Sequence, residues 1–381
     1  MESRSNVEQI AELVKKSYFK LSKSSRPTTR SNGILEGTIV ASVIACDINT
    51  GSTRLISIAT GVKSTPNSEL KRSHGKIVHD CHAEILALRG LNAVILKQIQ
   101  YLKQGQNSDL VVKSGVPGKF KWKENLELAL FISKLPCGDA SMRTLEESSR
   151  SDDIQYSDSD ENQYLDPNIR TILRGRSNYK RRGYVRTKPG RIDSKITHSI
   201  SCSDKLCARQ STSVLNALNF TLLEVPIYLK YLVVPNLTND ELEYARSSLH
   251  NRIPDKNHLL NIITCKFDFE DDLNELKEPS PLCGVKLYYT TNDTIEEQIL
   301  NGLKNGYYTK PSKPIRKNAE STVSRYSLWK CFVEMCPEFK DISYQSFKKA
   351  YCNDRKLNID KVRNVLSPDG WVYTYADDFS I

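Results

Sequence analysis

The sequence predicts an α/β fold, on three observations. Apolar, β-prone runs at 37–45, 53–60, 126–133 and 225–235 alternate with helical text, the pattern of a sheet covered by helices. The 381 residues are 39% hydrophobic, enough to bury a sizeable core. Three segments bearing His or Cys each stand at an expected helix start, and open α/β sheets gather ligands where strands give way to helices.

The elements follow in order. Residues 6–21 set Val7, Ile10, Ala11, Val14 and Phe19 at near-helical spacing, with Ser5 or Asn6 as N-cap. A polar link, 22–32, leads to a hairpin of 37–45 and 53–60 around the turn-rich 47–52. After a polar loop, 63–76, a long apolar helix starts at Ala83. The run 126–133 reads as a buried strand, with a helix expected after Cys137. Residues 146–166 are acidic, Ser-rich and almost without aliphatics, which predicts a disordered insertion. Residues 170–195 hold ten Lys or Arg against one acid, Asp193, a concentration suited to a polyanion. A turn and helix occupy 199–223, and a buried strand 225–235. The last third reads as helical stretches broken by Pro, Gly and Asn, with a helix at 343–353 and a strand-like tail from Trp371.

Composition narrows the function. No run of 18 apolar residues exists to span a membrane, and the start lacks a signal-peptide core, so an intracellular, soluble protein is expected. Ten cysteines are then reduced thiols, most of them core and a few of them ligands or nucleophiles. The net charge of +10 favours nucleic acid, although it also suits a merely soluble surface.

Three segments carry chemistry together: His82-Ala83-Glu84, Pro136-Cys137, and Ser201-Cys202-Ser203-Asp204-Lys205. Zinc nucleobase deaminases bind the ion through His and two Cys, with a Glu two residues after the His moving protons. A catalytic zinc keeps a fourth position for water. His82, Cys137 and Cys202 supply that donor set, and Glu84 on the first helical turn can face the same water. Each piece alone is weak, since His-X-Glu and isolated cysteines are common. Their order, each at a helix start, is what carries weight. A Pro-Cys-X-X-Cys run would place its second Cys where Ala140 stands, so the third ligand is sought at Cys202.

With these motifs the chain resembles the RNA-specific adenosine deaminases. The resemblance runs through Thr60-Gly61-Val62-Lys63, Asp80-Cys81-His82-Ala83-Glu84-Ile85, Leu135-Pro136-Cys137-Gly138-Asp139-Ala140, Ser201-Cys202-Ser203-Asp204-Lys205, Pro226-Ile227-Tyr228-Leu229 and Gly370-Trp371-Val372. It implies one deaminase domain over 1–381, cytidine-deaminase-like: a three-layer α/β/α fold with a central mixed sheet and a helical C-terminal half enclosing a basic pocket. Val185-Arg186-Thr187-Lys188-Pro189-Gly190-Arg191 looks like the tRNA branch rather than the double-stranded RNA editors. Only about 35 residues precede the first strand, fewer than the ~50 a separate duplex-binding domain needs.

The resemblance further implies inosine formation at the adenosine 3′ of the anticodon of alanine tRNA. Zinc-activated water attacks C6 there, and Glu84 shuttles the protons. It implies a buried inositol hexakisphosphate held by Arg89, Lys205, Arg209, Arg325, Lys340, Tyr344, Lys348, Trp371 and Asp377. His79, Leu88 and Gln210 depart from the editors' pattern around this ligand. Asp80 and Lys188 would tie the zinc site to it, and RNA would be met by Lys63, Arg174, Arg176, Lys180, Arg181, Arg182, Arg186 and Arg191. A nuclear or cytoplasmic location follows, with no obligate protein partner. The alternatives are a deaminase of double-stranded or messenger RNA, a non-catalytic RNA-binding subunit, a structural zinc module, and cytidine as substrate.

Overall fold

The computed structural model describes residues 4–143, 157, 159–191, 193–254, 258–375 and 377–381. Its centre is a mixed sheet of eight strands: β1 (Val40–Asp47), β2 (Thr53–Thr60), β3 (Leu126–Ile132), β4 (Leu229–Val233), β5 (Asn261–Ile263), β6 (Leu282–Tyr288), β7 (Thr294–Leu300) and β8 (Leu303–Lys304). The spatial order is β5-β4-β3-β1-β2-β6-β7-β8. Pairing is parallel among β3, β4 and β5 and antiparallel elsewhere.

β1 is buried along almost its whole length because both faces of the sheet are covered. On one face lies α1 (Arg4–Phe19), which buries Val7, Ile10, Ala11, Val14 and Tyr18 against Val40, Ile44, Ile58 and Phe131. These positions repeat at i, i+3, i+4 and i+7, the stripe of a surface helix. Tyr18, not Phe19, fills the last core position; its hydroxyl reaches Asp271 at 2.5 Å, while Phe19 is 47% exposed. Ser5 and Asn6 lie inside the helix rather than at its cap.

The other face carries α2 (Ala83–Lys103), and 15 of its 21 residues are buried. So complete a burial means that this helix is sandwiched. The sheet lies on one side, and α3 (Cys202–Thr212), α4 (Ala217–Leu222), α6 (Arg325–Met335) and α7 (Tyr344–Tyr351) share the same core. Gly90 permits the close approach: a Cβ there would stand 2.8 Å from Ser57 Cβ and 2.7 Å from Leu287 Cδ2. α5 (Asn239–Arg246) and α8 (Asn353–Leu366) complete the helices used below.

Several expectations change. β4 is shorter than 225–235, because Pro226 and Pro235 have no N–H for a ladder. The β6–β7 hairpin was not foreseen: Thr294–Leu300 is helix-prone in composition, and pairing with β6 overrides that preference. After Cys137 comes a 3₁₀ turn, Asp139–Ser141, helical at Met142 and Arg143 where the description stops. The tail from Trp371 is irregular rather than a strand. Much of the acidic stretch, 146–156 and 158, lies outside the described residues. Its end is ordered, contrary to expectation: Gln163 is fully buried and Tyr164 bridges to Leu173.

Candidate metal centre and active site

His82 ends a short strand, Asp80–His82, that pairs antiparallel with Val62–Ser64. It is also the N-cap residue of α2, so the chain turns from extended to helical at the ligand itself. Glu84 follows in the first helical turn and is 3% exposed. Cys137 sits just beyond β3, and Cys202 is the first residue of α3.

The last two segments are laced together. Ser203 Oγ lies 3.0 and 2.9 Å from the Pro136 and Cys137 carbonyls and accepts from Ala140 N at 3.1 Å. Ala140, where a cysteine was expected, therefore serves as a backbone contact. Gly138 has φ +101°, and a Cβ there would meet Ser201 Oγ at 2.1 Å, so only glycine lets Cys137 approach α3. Asp204, fully buried, accepts from Ser201 Oγ at 2.5 Å, Arg186 N at 2.9 Å and Arg252 Nη2 at 2.7 Å. This fixes the turn on which Cys202 is carried.

One nitrogen and two sulfurs, from His82, Cys137 and Cys202, lie within 4.8 Å of one another. His82 Nδ1 and Cys137 Sγ are 3.6 Å apart. A tetrahedral zinc with Zn–N of ~2.0–2.1 Å and Zn–S of ~2.3 Å needs an N···S edge of about 3.5 Å, so the spacing fits that ion. The electrostatics fit too. A hydrogen bond from Cys202, with Lys188 and His82 nearby, holds the Cys137 thiol well below its ordinary range despite burial. Burial and the neighbouring Cys137 charge push Cys202 the other way. Burial and Lys188 oppose protonation of His82, but Cys137 and Asp80 more than offset them and raise its pKa. Zinc binding requires both thiols deprotonated and the imidazole neutral, so the ion would displace whatever protons these groups carry.

Lys188 connects this centre to the interior. Its Nζ donates to Cys202 Sγ at 2.9 Å and to the two Asp80 carboxylate oxygens at 2.8 and 2.7 Å. Lys205 Nζ binds Asp80 from the other side and Ser199 Oγ at 2.7 Å. Burial works against the Asp80 carboxylate, yet these two ammonium groups hold it well below the ordinary range.

Beyond Lys205 opens a cavity of about 370 Å³ whose lining includes His79, Arg209, Arg355, Arg363, Trp371 and Tyr373. Arg209 Nη1, Arg355 Nε and His79 Nε2 are buried there with no hydrogen-bond partner among the described residues. Burial, and after it the charges of Arg325 and Arg355, lower the Lys348 pKa to about 8. Arg89 donates to the Val323 carbonyl and feels Arg325; Lys348 lies over the Tyr344 ring; Asp377 accepts from Arg325 at 2.7 Å. Of the nine residues expected around a polyphosphate, Lys205, Arg209 and Trp371 line this cavity; Arg89, Arg325, Tyr344, Lys348 and Asp377 are not in its lining, and Lys340 is exposed after the 3₁₀ turn Pro337–Phe339. Arg355 and Arg363 were missed. Their signal was present, for Arg355, Ile359, Val362, Arg363 and Leu366 form one face of α8, with cations set among apolar residues.

The basic segment divides. Lys63, Arg176, Lys180 and Arg191 are exposed, and Arg174, Arg181 and Arg182 are half-buried. Arg181 packs over Tyr184 and Arg182 over Tyr244. Arg186 corrects the expectation of an RNA contact. It is 1% exposed, and its guanidinium donates to the carbonyls of Gly175, Ser177, Asn178 and Arg181, binding up the loop from inside.

Comparison with known proteins agrees with this geometry. The model of the adenosine-deaminase (editase) domain matches residues 57–360. The chain is 48% identical over 376 residues to the tRNA-specific adenosine deaminase 1 of Saccharomyces cerevisiae, covering 97% of this chain and 94% of that one. It is 28% identical to the protein of the same name from Schizosaccharomyces pombe, covering 100% and 98%. A double-stranded RNA-specific editase of Drosophila melanogaster is 23% identical over 63% of this chain and 34% of its own. Joined to the His-Cys-Cys cluster, this extent of similarity means that the chain belongs to the adenosine-deaminase (editase) domain family.

Proposed function

We propose that the chain is a zinc-dependent hydrolytic deaminase converting adenosine to inosine in tRNA, at the adenosine 3′ of the anticodon of alanine tRNA. The observation that carries the reading is the convergence of His82, Cys137 and Cys202 beside the buried Glu84. The printed names of the fungal relatives support tRNA as substrate. The fold on this reading is a single cytidine-deaminase-like α/β/α domain over 1–381, working inside the cell.

A zinc ion held by His82, Cys137 and Cys202 supplies the Lewis acidity that makes water a nucleophile near neutral pH. Glu84 takes the water proton and delivers protons to N1 and to the departing amine, so adenosine and water become inosine and ammonia. Lys188 and Asp80 hold Cys202 in place behind the reacting face. The cavity's Lys205, Arg209, Arg355 and Arg363, with Arg209 Nη1 and Arg355 Nε buried and unmet among the described residues, are suited to a polyphosphate such as inositol hexakisphosphate, which Arg89, Arg325 and Lys348 would also favour. On this reading Lys63, Arg174, Arg176, Lys180, Arg181, Arg182 and Arg191 would meet the RNA backbone. An anticodon loop is already single-stranded, so extruding its base costs little.

The test is mass mapping of inosine after incubation with purified tRNA, with duplex RNA and a cytidine-bearing loop as parallel substrates. Inosine at one position of alanine tRNA is expected. Product only in the duplex would transfer the chain to the editors' substrate, and uridine would overturn adenosine as target.

A further inference from the structure

The charge of the molecule is not confined to 170–195. Residues 304–317 carry Lys304, Lys310, Lys313, Arg316 and Lys317 and no acid. Lys304 pairs with Glu297. The other four are exposed, and among the described residues no carboxylate lies within ion-pair distance of them. Tyr307, 40% exposed, stands beside them.

This loop is held in place. Arg72 donates through Nη1 to Thr309 Oγ1 at 3.0 Å and to the Lys310 and Lys313 carbonyls at 3.1 and 2.8 Å. Its Nη2 donates to the Thr309 carbonyl and to Glu69, both at 2.7 Å, and the guanidinium lies over the Tyr308 ring. Four carbonyl or hydroxyl oxygens and one carboxylate on one half-buried arginine fix the loop's shape, so its lysines point outward from a rigid base. Arg72 follows a helical turn, Asn67–Leu70, and Asn67 joins the other basic segment: its N–H donates to the Ile196 carbonyl and its side chain accepts from His198 N. Between them lies a hollow of about 490 Å³ lined by Asn67, Ser68, Arg174, Ser194, Lys195 and Ile196. Asp193 also borders it, its charge met by Arg191 at 2.6 Å. Backbone bonds tie this surface to the segment that leads into the His-Cys-Cys cluster. Thr65 N bonds the His79 carbonyl and Val78 N the Gly302 carbonyl, on the chain that runs into His82.

We propose that the 304–317 loop, the turn at 67–72 and the hollow beside Lys195 form one phosphate track, which grips the backbone of a folded RNA beyond the reacting loop. The proposal rests on the reading of RNA as substrate and adds where the rest of that RNA lies. Fixed cations spaced along a surface whose bordering acids, Glu69 and Asp193, are each met by an arginine recognise a regular polyanion through charge, not sequence.

The experiment compares wild type with a variant replacing Lys310, Lys313, Arg316 and Lys317 by Ala. Binding is measured across a salt series to full-length tRNA and to its isolated anticodon stem-loop. The track predicts that affinity for full-length tRNA falls about 10-fold or more, with the log–log salt slope shallower by about 2 to 3. Stem-loop binding and the melting temperature should hold, and replacing the same four positions by the other basic residue should restore affinity. Equal losses on both RNAs, or none on full-length tRNA, would overturn it. An Arg72→Met variant, which keeps the loop's charges but frees its base, should lose part of the same affinity. Binding is read without catalysis, so a failed deaminase reading would show separately, as tRNA bound by wild type with no inosine made.

Discussion

Arg186 illustrates how far a residue's type can mislead about its role. In the sequence it is one of ten cations in a basic run; in the structure it donates to four carbonyls from inside the loop. Leaving a buried carbonyl without its donor costs about 1–3 kcal/mol, and several lose theirs here. Arg186→Met should therefore lower unfolding stability by that order and leave the salt slope of RNA binding unchanged, as paired urea melts and binding titrations would show. A lost slope with unchanged stability would return Arg186 to the RNA surface. The clustering of His82, Cys137 and Cys202 was legible because metal-ligating chemistry restricts residue types and spacing. Ser203, Asp204 and Arg252, which hold Cys202, were not, since buried hydrogen bonds between distant segments leave no local pattern.

At the scale of elements, legibility followed periodicity. α1, the β1–β2 hairpin and α2 showed in the apolar spacing because each buries a defined face. The β6–β7 hairpin did not, because Glu296 and Glu297 serve Ser22, Ser25, Ser321 and Thr322 in tertiary contacts that composition cannot signal. The α2–sheet contact gives a direct test. Ala at position 90 gains up to ~1 kcal/mol in helix propensity, but its Cβ would enter the space of Ser57 on β2. Overpacking of this kind costs ~1–3 kcal/mol, so Gly90→Ala should be net destabilising in thermal or chemical melts. A stabilised variant would mean that the helix can lift from the sheet without cost.

Across the whole molecule, the basic cavity couples the C-terminal helices to the metal centre through Lys205, Asp80 and Lys188. Burial, Arg325 and Arg355 lower the Lys348 pKa to about 8 from an ordinary 10.5. Between those values the unfolded chain holds the proton and the folded chain does not, so ligand-free protein should gain stability as pH rises from 8 to 10.5. Below pH 8 both states are charged and the cost of repulsion is complete. A bound polyphosphate would reverse the field and flatten this dependence. Protein as purified should release about one equivalent of inositol hexakisphosphate on denaturation, and phosphate-free protein should show the rising profile. A flat profile in phosphate-free protein would remove Lys348 from the charged cluster.

The central claim joins the His82-Cys137-Cys202 centre to Glu84 as its proton carrier. It is tested most directly by measuring zinc content and inosine formation together, in wild type and in Glu84→Ala. One zinc per chain is expected in both, with inosine formed by wild type and a loss of at least ~10²–10⁴-fold in the variant. Inosine formation retained in Glu84→Ala, or by a wild-type chain free of zinc, would contradict the account.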